Sequence, residues 1–436
     1  MCAKIKTAFR ENLLIAILTG ILYANWAFQL YQRLKGPYSK ESWQITEWLI
    51  NYRGGFVRRG LPGEFLLWLY NHFSVAPYTA IIFLSAFFYF AVALFFISLF
   101  IRRRYPLLIL PLVFFLGDPV LNNFVVRKDL LLITFFILIV YVFLKKRLYT
   151  ILLGNGLLIL ALLCHEIIGF FSFPFLFLML AEFGACDGSR IKPARTSLLK
   201  LSPSLSVFFI VLLHRGSATV AGSVWQSWSD IPFPNQAAYT NTDPSAIGSL
   251  SFSLKNSIDY LTQTLTDFYN GVYAPLLWVL VIAAIYMVLT NLNKIGFHTT
   301  SNSKKHSFHI LNLSATLLFQ LVAVIPLFLL GCDFGRWIFY WVSSSFAIYL
   351  LVPEQQLSKT YPSFLFKTAL FINNIFHSKL PKSPGFIYGL MLLIGFSGLT
   401  SGPTWQIKLA DFYNTSGIMC VFDFVSLLAR KLLLHQ

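Results

Sequence analysis

Long apolar runs separated by short polar connections dominate this chain of 436 residues. Each run approaches the roughly twenty residues that a helix needs to cross a bilayer. The pattern predicts spans at about Leu13–Leu30, Ala76–Ile101, Tyr105–Leu121, Leu130–Leu144, Thr150–Cys164, Ile167–Phe183, Leu201–Leu213, Val272–Leu292, Phe308–Leu330, Trp337–Leu351 and Gly385–Leu399. Ile418–Leu434 carries Asp423, Arg430 and Lys431, and is either a short last span or an interfacial helix. Pro106 and Pro111 break or tilt the third span. The expected fold is therefore an all-α polytopic membrane protein with about eleven or twelve transmembrane helices, forming a single integral membrane domain over residues 1–436. Three longer connections interrupt it. Residues 32–75 form an outer loop with an interfacial helix at Glu64–Phe73, residues 214–270 form the longest outer loop, and residues 353–385 form an inner segment in which Phe364–Phe376 lies along the interface.

Composition agrees with that class. The chain is 57% hydrophobic and only 12% charged, with a mean hydropathy of +0.68, which is too little charge for a water-soluble fold of this length. The net charge of +17 would point to nucleic acid in a soluble protein. Here Arg102–Arg104, Lys145–Arg147, the stretch Arg190–Lys200, Lys294 with Lys304 and Lys305, and Lys359–Lys382 recur after every second span. That rhythm is the positive-inside signature, so the N-terminus is expected in the cytoplasm and a nucleic-acid partner is not expected. The cysteines, Cys2, Cys164, Cys186, Cys332 and Cys420, are widely spaced and form no CxxC pair, so neither a disulfide framework nor a zinc site is expected.

The remaining charges gather in short clusters on the opposite, outer side: Arg53 with Arg58 and Arg59, Arg127-Lys128-Asp129, His165-Glu166, His214-Arg215, and Asp333 with Arg336. Charge at the edge of hydrocarbon is costly and usually faces a cavity where it binds or reacts. Arginine offers a planar fork that pairs bidentately with phosphate, so Arg53, Arg58, Arg59, Arg127, Arg215 and Arg336 are candidate diphosphate ligands. Gly54, Gly55, Gly60 and Gly63 would let backbone N–H groups approach such an anion. Glu166 and His165, with Asp333 next, are candidate general bases. The alternatives are a snorkelling hairpin, helix-anchoring charges with Asp129 as a cap, and structural ion pairs. Trp225 and Trp228 fit aromatic-belt anchors. His165-Glu166 has no second histidine four residues on, no Walker A sequence occurs, and there is no Asp-x-Asp pair, so zincin, ATPase and metal-nucleotide-sugar chemistries are not expected.

Arg127 at the start of a span, a return span, and Leu163-Cys164-His165-Glu166 before a Phe- and Pro-containing span resemble the Wzy-type O-antigen polymerases and the EpsG-like surface-polysaccharide polymerases. The resemblance covers residues 120–180 as an order of motifs, with Asp333–Arg336 in a late outer position. Lys128 and Asp129 directly after Arg127, and the segment Arg53–Gly63, depart from the EpsG pattern. The resemblance implies a GT-C-like enzyme of the bacterial inner membrane, acting at its periplasmic face without metal or cofactor. It would join oligosaccharide repeat units carried on undecaprenyl diphosphate, with Trp225 and Trp228 stacking on sugar faces, among membrane lipids and alongside a chain-length regulator protein. A transferase using a lipid-monophosphate sugar, an O-antigen ligase, and a lipid-linked oligosaccharide flippase are the alternatives.

Overall fold

The structure is a computed structural model that describes residues 2–185, 191–234, 246–253, 255–256, 258–259, 273–294, 309–331, 333–379 and 383–395. Its regular elements are helices, and no strand occurs among the described residues. They are α1 (Cys2–Lys35), α2 (Trp43–Leu49), α3 (Leu61–Phe73), α4 (Pro77–Arg103), α5 (Asp118–Leu121), α6 (Asp129–Phe143), α7 (Leu148–Cys164), α8 (Ile167–Ala181), α9 (Ile191–Leu213), α10 (Ala218–Gln226), α11 (Tyr273–Thr290), α12 (Ile310–Leu330), α13 (Phe334–Leu351), α14 (Glu354–Thr360), α15 (Ser363–Lys379) and α16 (Pro384–Gly395). Among the described residues α4, α9 and α12 are long and apolar enough to cross a membrane, while α6, α7 and α8 are equally apolar but shorter. The final apolar run at Ile418–Leu434 lies outside the described residues.

The helices share two polar ends. At one end Arg103 Nη2 donates to the Leu350 carbonyl at 2.6 Å, Lys146 pairs with Glu182, and His309 Nδ1 lies 2.7 Å from Glu354. This end carries the basic connections. At the other end α6 begins, α7 turns into α8, and α12 turns into α13. The core between them is built from α6, α7, α8, α12 and α13. α13 is buried along nearly its whole length, from Phe334 to Leu350. A helix apolar all round and enclosed by others is the expected centre of such a bundle.

The third span is not a helix. Residues 105–128 hold only a short 3-10 turn at Leu107–Ile109 and the single-turn α5, although they run from one polar end to the other. Pro106, Pro111 and Pro119 remove donors and forbid a continuous ladder. Gly117 is packed against the Pro111 carbonyl, where a Cβ would sit at 2.0 Å. Irregular backbone at membrane depth survives only when protein encloses it and supplies its hydrogen bonds. Here side chains of α1, α2 and α4 do so. Tyr23 donates to the Leu107 carbonyl at 3.0 Å, Tyr89 to Leu116 at 2.7 Å, Arg33 to Val120 at 3.3 Å, Gln44 to Asn123 at 3.2 Å, and both Trp48 and Ser85 to Val126 at 2.6 and 3.1 Å.

A helix covers the expected Glu64–Phe73 as α3, one turn longer at its start. α2, before it, carries no such apolar length and escapes the pattern. Gly54, Gly60 and Gly63 are close-packed, whereas Gly55 stands in open space at φ +103°. A Cβ on Gly60 would meet the Tyr52 ring at 2.3 Å, one on Gly63 the Ile50 carbonyl at 2.1 Å, and one on Gly54 the backbone of Val220 at 2.9 Å.

Tyr89 is the tightest of the supports, because its hydroxyl also accepts from Trp26 Nε1 at 2.5 Å. Tyr89→Phe should leave both the indole N–H and the Leu116 carbonyl unpaired, at about 1–3 kcal/mol each. The midpoint of thermal unfolding in detergent should fall by several degrees, whereas Phe83→Ala, on an exposed apolar position, should leave it nearly unchanged.

Candidate functional site

Four segments far apart in sequence meet at the end of the bundle opposite the basic connections. The turn before α3 brings Arg58 and Arg59, the start of α6 brings Arg127, Lys128 and Asp129, the α7–α8 junction brings His165 and Glu166, and the α12–α13 junction brings Asp333 and Arg336. Glu47 of α2 joins them from a fifth direction. The clusters that the sequence sets apart by up to 278 positions, from Arg58 to Arg336, thus form one ion-pair network.

Glu47 is its hub and is fully buried. Its Oε2 accepts from Arg127 Nε at 2.8 Å, and its Oε1 lies 3.3 Å from His165 Nε2 and 3.9 Å from Arg336 Nη2. On one side of this hub, Arg59 forks onto both oxygens of Glu166, and Arg58 Nη1 reaches Glu166 Oε1 at 3.2 Å. Arg59 holds its fork with φ of +66°, a left-handed conformation that a bulky residue adopts only under constraint. On the other side, Asp333 Oδ2 accepts from Arg336 at 2.5 Å and from Arg127 at 3.3 Å. Arg336 Nε also donates to Asp129 Oδ1 at 2.9 Å, where Tyr340 adds its hydroxyl at 2.6 Å. Lys128 is a strut: its ammonium donates to the Cys164 carbonyl at 3.1 Å and to the Arg59 carbonyl at 3.4 Å.

The charges set each other's protonation. Burial alone would raise the carboxyls of Glu47, Glu166 and Asp333. Arg127 and Arg336 hold Glu47 and Asp333 below the usual range, and Arg59 with Arg58 does the same to Glu166. Burial and the neighbouring Arg59 push His165 down to about 3. It is therefore neutral at pH 7. Its Nδ1 accepts the Ile167 N–H at 3.2 Å, which leaves the proton on Nε2, facing Glu47. Burial lowers Lys128 to about 8 and Arg58 to about 10.

Exposure separates the roles. His165 and Glu166 are almost fully enclosed, and every strong acceptor on them is already engaged. Asp333 keeps 19% of its side chain exposed and Arg58 22%, with Arg59 at 14% and Arg127 at 11%. These four form the open lip of the network. Among the described residues, Asp333 Oδ1 accepts no hydrogen bond, and the buried Arg58 Nε and Trp337 Nε1 have no acceptor.

Other expected residues are placed elsewhere. Arg53 is exposed and stands apart, beside a shallow cavity of about 370 Å³ with Tyr70, Asn71 and Asp230. Arg215 is exposed and acts on the cluster only through its charge on Arg58. Trp228 is completely buried, with its indole N–H on the Leu49 carbonyl at 2.8 Å, so it cannot stack on a sugar. The Lys40 ammonium covers the Trp225 ring at 5.1 Å. Trp228 fastens the long loop to α2, and Trp225 packs under Lys40 just before it. Asp129 does not cap α6. It anchors Arg336 and Tyr340 instead. Among the described residues no group of three metal-ligating side chains gathers.

Two outcomes test the network. Glu47→Ala strips a buried counter-ion from Arg127 and Arg336 and should cost about 3–5 kcal/mol, while Arg53→Ala should change stability by less than about 0.5 kcal/mol, both read by unfolding in detergent. The second concerns pH. His165 binds a proton near 6.5 when unfolded but only near 3 when folded, so the unfolded state holds more protons between those values. Stability is then full above pH 6.5 and falls as pH drops, by up to about 1.4 kcal/mol per unit. His165→Gln should flatten the unfolding midpoint between pH 6.5 and 5, where the carboxylates do not yet titrate. No family model matches this chain, and neither a curated protein nor a solved structure is significantly similar to it.

Proposed function

We propose that the chain is a membrane glycosyltransferase that joins oligosaccharide repeat units carried on undecaprenyl diphosphate, building an O-antigen or related surface polysaccharide. The observation that carries this reading is the lip formed by Arg58, Arg59, Arg127 and Asp333: three partly exposed arginines next to one partly exposed carboxylate with a free oxygen. Arg58 and Arg59 would take the diphosphate, because the fork now closed on Glu166 matches a phosphate oxygen pair equally well. Arg127 would bridge the diphosphate and the base.

In this reading Asp333 is the general base and His165 is not. A hydroxyl of the acceptor sugar attacks the anomeric carbon of the donor and gives its proton to Asp333 Oδ1. The bond from the anomeric carbon to the diphosphate oxygen breaks, and the lipid diphosphate leaves with the electron pair, its charge met by the arginines. The anomeric carbon carries oxocarbenium character in between. Glu166, His165, Arg336 and Asp129 then position the reacting groups.

The recessed geometry supports the same reading. At about 1.5 Å per residue, α6 and α8 reach roughly 22 Å against a hydrocarbon thickness of about 30 Å. The longer α4 and α12 would reach beyond them, so the site would lie at headgroup depth. With eleven or twelve spans, a GT-C-like arrangement and the basic end in the cytoplasm, the lip would open to the periplasm of the inner membrane, where a chain-length regulator would dock. A flippase is less well supported, because the described charges gather at the two ends and not along a path between them.

The test is the surface-polysaccharide banding of a deletion strain complemented with wild type, Asp333→Asn, Arg59→Lys or His165→Gln at matched membrane levels. Asp333→Asn and Arg59→Lys should collapse the ladder to a single repeat unit, with rate losses of about 10²–10⁴ for the base, and His165→Gln should keep a ladder. Loss of even the single-repeat band on deletion would overturn the polymerase in favour of a ligase or a flippase.

A further inference from the structure

At the basic end, remote from the ion-pair network, lies a cavity of about 670 Å³. It is bounded by the last turn of α4, the first turn of α12, and the α13–α14 junction, with Arg102, Arg103, Asn312, Tyr105 and Tyr349 on its walls. Arg102 is exposed and pairs with no carboxylate among the described residues. Arg103 spends Nη2 on the Leu350 carbonyl and keeps its other donors. Positive-inside bias accounts for these two charges, but not for what faces them.

α12 points its N-terminus at the same space. It is 21 residues long, and its N-cap, His309, supplies no side-chain acceptor. The N–H groups of Ile310, Leu311 and Asn312 therefore have no acceptor among the described residues, and the helix dipole adds positive potential there. Asn312 is the independent sign. It is only 9% exposed, it lines the cavity, and its side-chain amide has no partner among the described residues. The amide is open to the cavity and free to donate to an anion that enters it. The acidic group on the wall, Glu354, is already tied to His309 at 2.7 Å.

We propose that this cavity binds a phosphate group, held by Arg102, Arg103, the Asn312 amide and the first N–H groups of α12. The group belongs either to a phospholipid entering from the leaflet or to a soluble phosphate ester. The proposal does not depend on the activity at the other end.

The test uses the full chain purified in neutral detergent. Native mass spectrometry reads retention of phosphatidylglycerol against diacylglycerol, and thermal stabilisation reads glycerol 3-phosphate and inorganic phosphate. The variants are Arg102→Lys with Arg103→Lys, which keeps the charge that orients the chain but loses the fork, and Asn312→Asp, which keeps the size but repels an anion. Both are checked for a single peak in size exclusion. Wild type should retain one phosphatidylglycerol per chain and little diacylglycerol, with at least a tenfold loss in either variant. Stabilisation by glycerol 3-phosphate or by inorganic phosphate, lost in both variants, would identify the soluble source, and its absence beside phosphatidylglycerol retention the lipid source. Equal retention of the two lipids with no stabilisation by either soluble probe, or retention unchanged in both variants, would overturn the proposal.

Discussion

A charge taken out of water must find its opposite, and the polar end of this bundle is organised around that requirement. Arg58, Arg59, Arg127, Lys128 and Arg336 face Glu47, Asp129, Glu166 and Asp333 in a space almost closed to solvent. The desolvation of each ion is offset only while its partners stay in place. Glu47 is the point where the two halves meet, since Arg127, His165 and Arg336 all converge on it. The positions of α2, α6, α8 and α13 at this end are thereby tied to one carboxylate, and the apolar packing below only has to agree with them.

In the proposed reading, the same pairing would let a stable network also be a reactive one. Arginines saturated by carboxylates are preorganised for an anion of similar shape, because the forks already point where oxygen atoms belong. A diphosphate would exchange with the acidic partner rather than order a loose cluster. The exchange is cheapest at the lip, where water reaches Arg58, Arg59 and Asp333, and dearest at Asp129, which is enclosed and held by both Arg336 and Tyr340. In that reading, chemistry and scaffold would be divided within one continuous set of ion pairs, according to depth.

The charge clusters were legible in the sequence because charge stands out against an apolar background. Arg58, Arg59, Arg127, His165, Glu166, Asp333 and Arg336 could be picked out one by one, and the structure joins them. Glu47 could not. It sits in Trp43–Leu49, too short to show a period and mixed with Gln44 and Thr46, so nothing sets it apart from Glu41 and Glu64. Tyr340 lies one helical turn after Arg336 inside an apolar run and reads there as packing. The third span failed for a different reason: hydropathy measures side chains and is blind to backbone, and only the spacing of Pro106, Pro111, Gly117 and Pro119 carried the warning. Trp225 and Trp228 misled because an aromatic in a polar loop looks the same whether it awaits a ligand or fastens the loop.

That irregular span bears on the site directly. Residues 105–128 end in Arg127 and Lys128, so the position of the arginine that links Glu47 to Asp333 is set by a segment with no helical ladder of its own. Its carbonyls depend on Tyr23, Arg33, Gln44, Trp48, Ser85 and Tyr89, donors spread over α1, α2 and α4. A helix would hold Arg127 rigidly to its own axis. A coiled segment held from outside couples it to three other elements, one of which, α2, also carries Glu47. Movement of the lip when a substrate enters would therefore pass through side-chain hydrogen bonds rather than through the tilt of a whole helix. That is the softer route, and it leaves the buried pairs of Asp129, Arg336 and Tyr340 undisturbed.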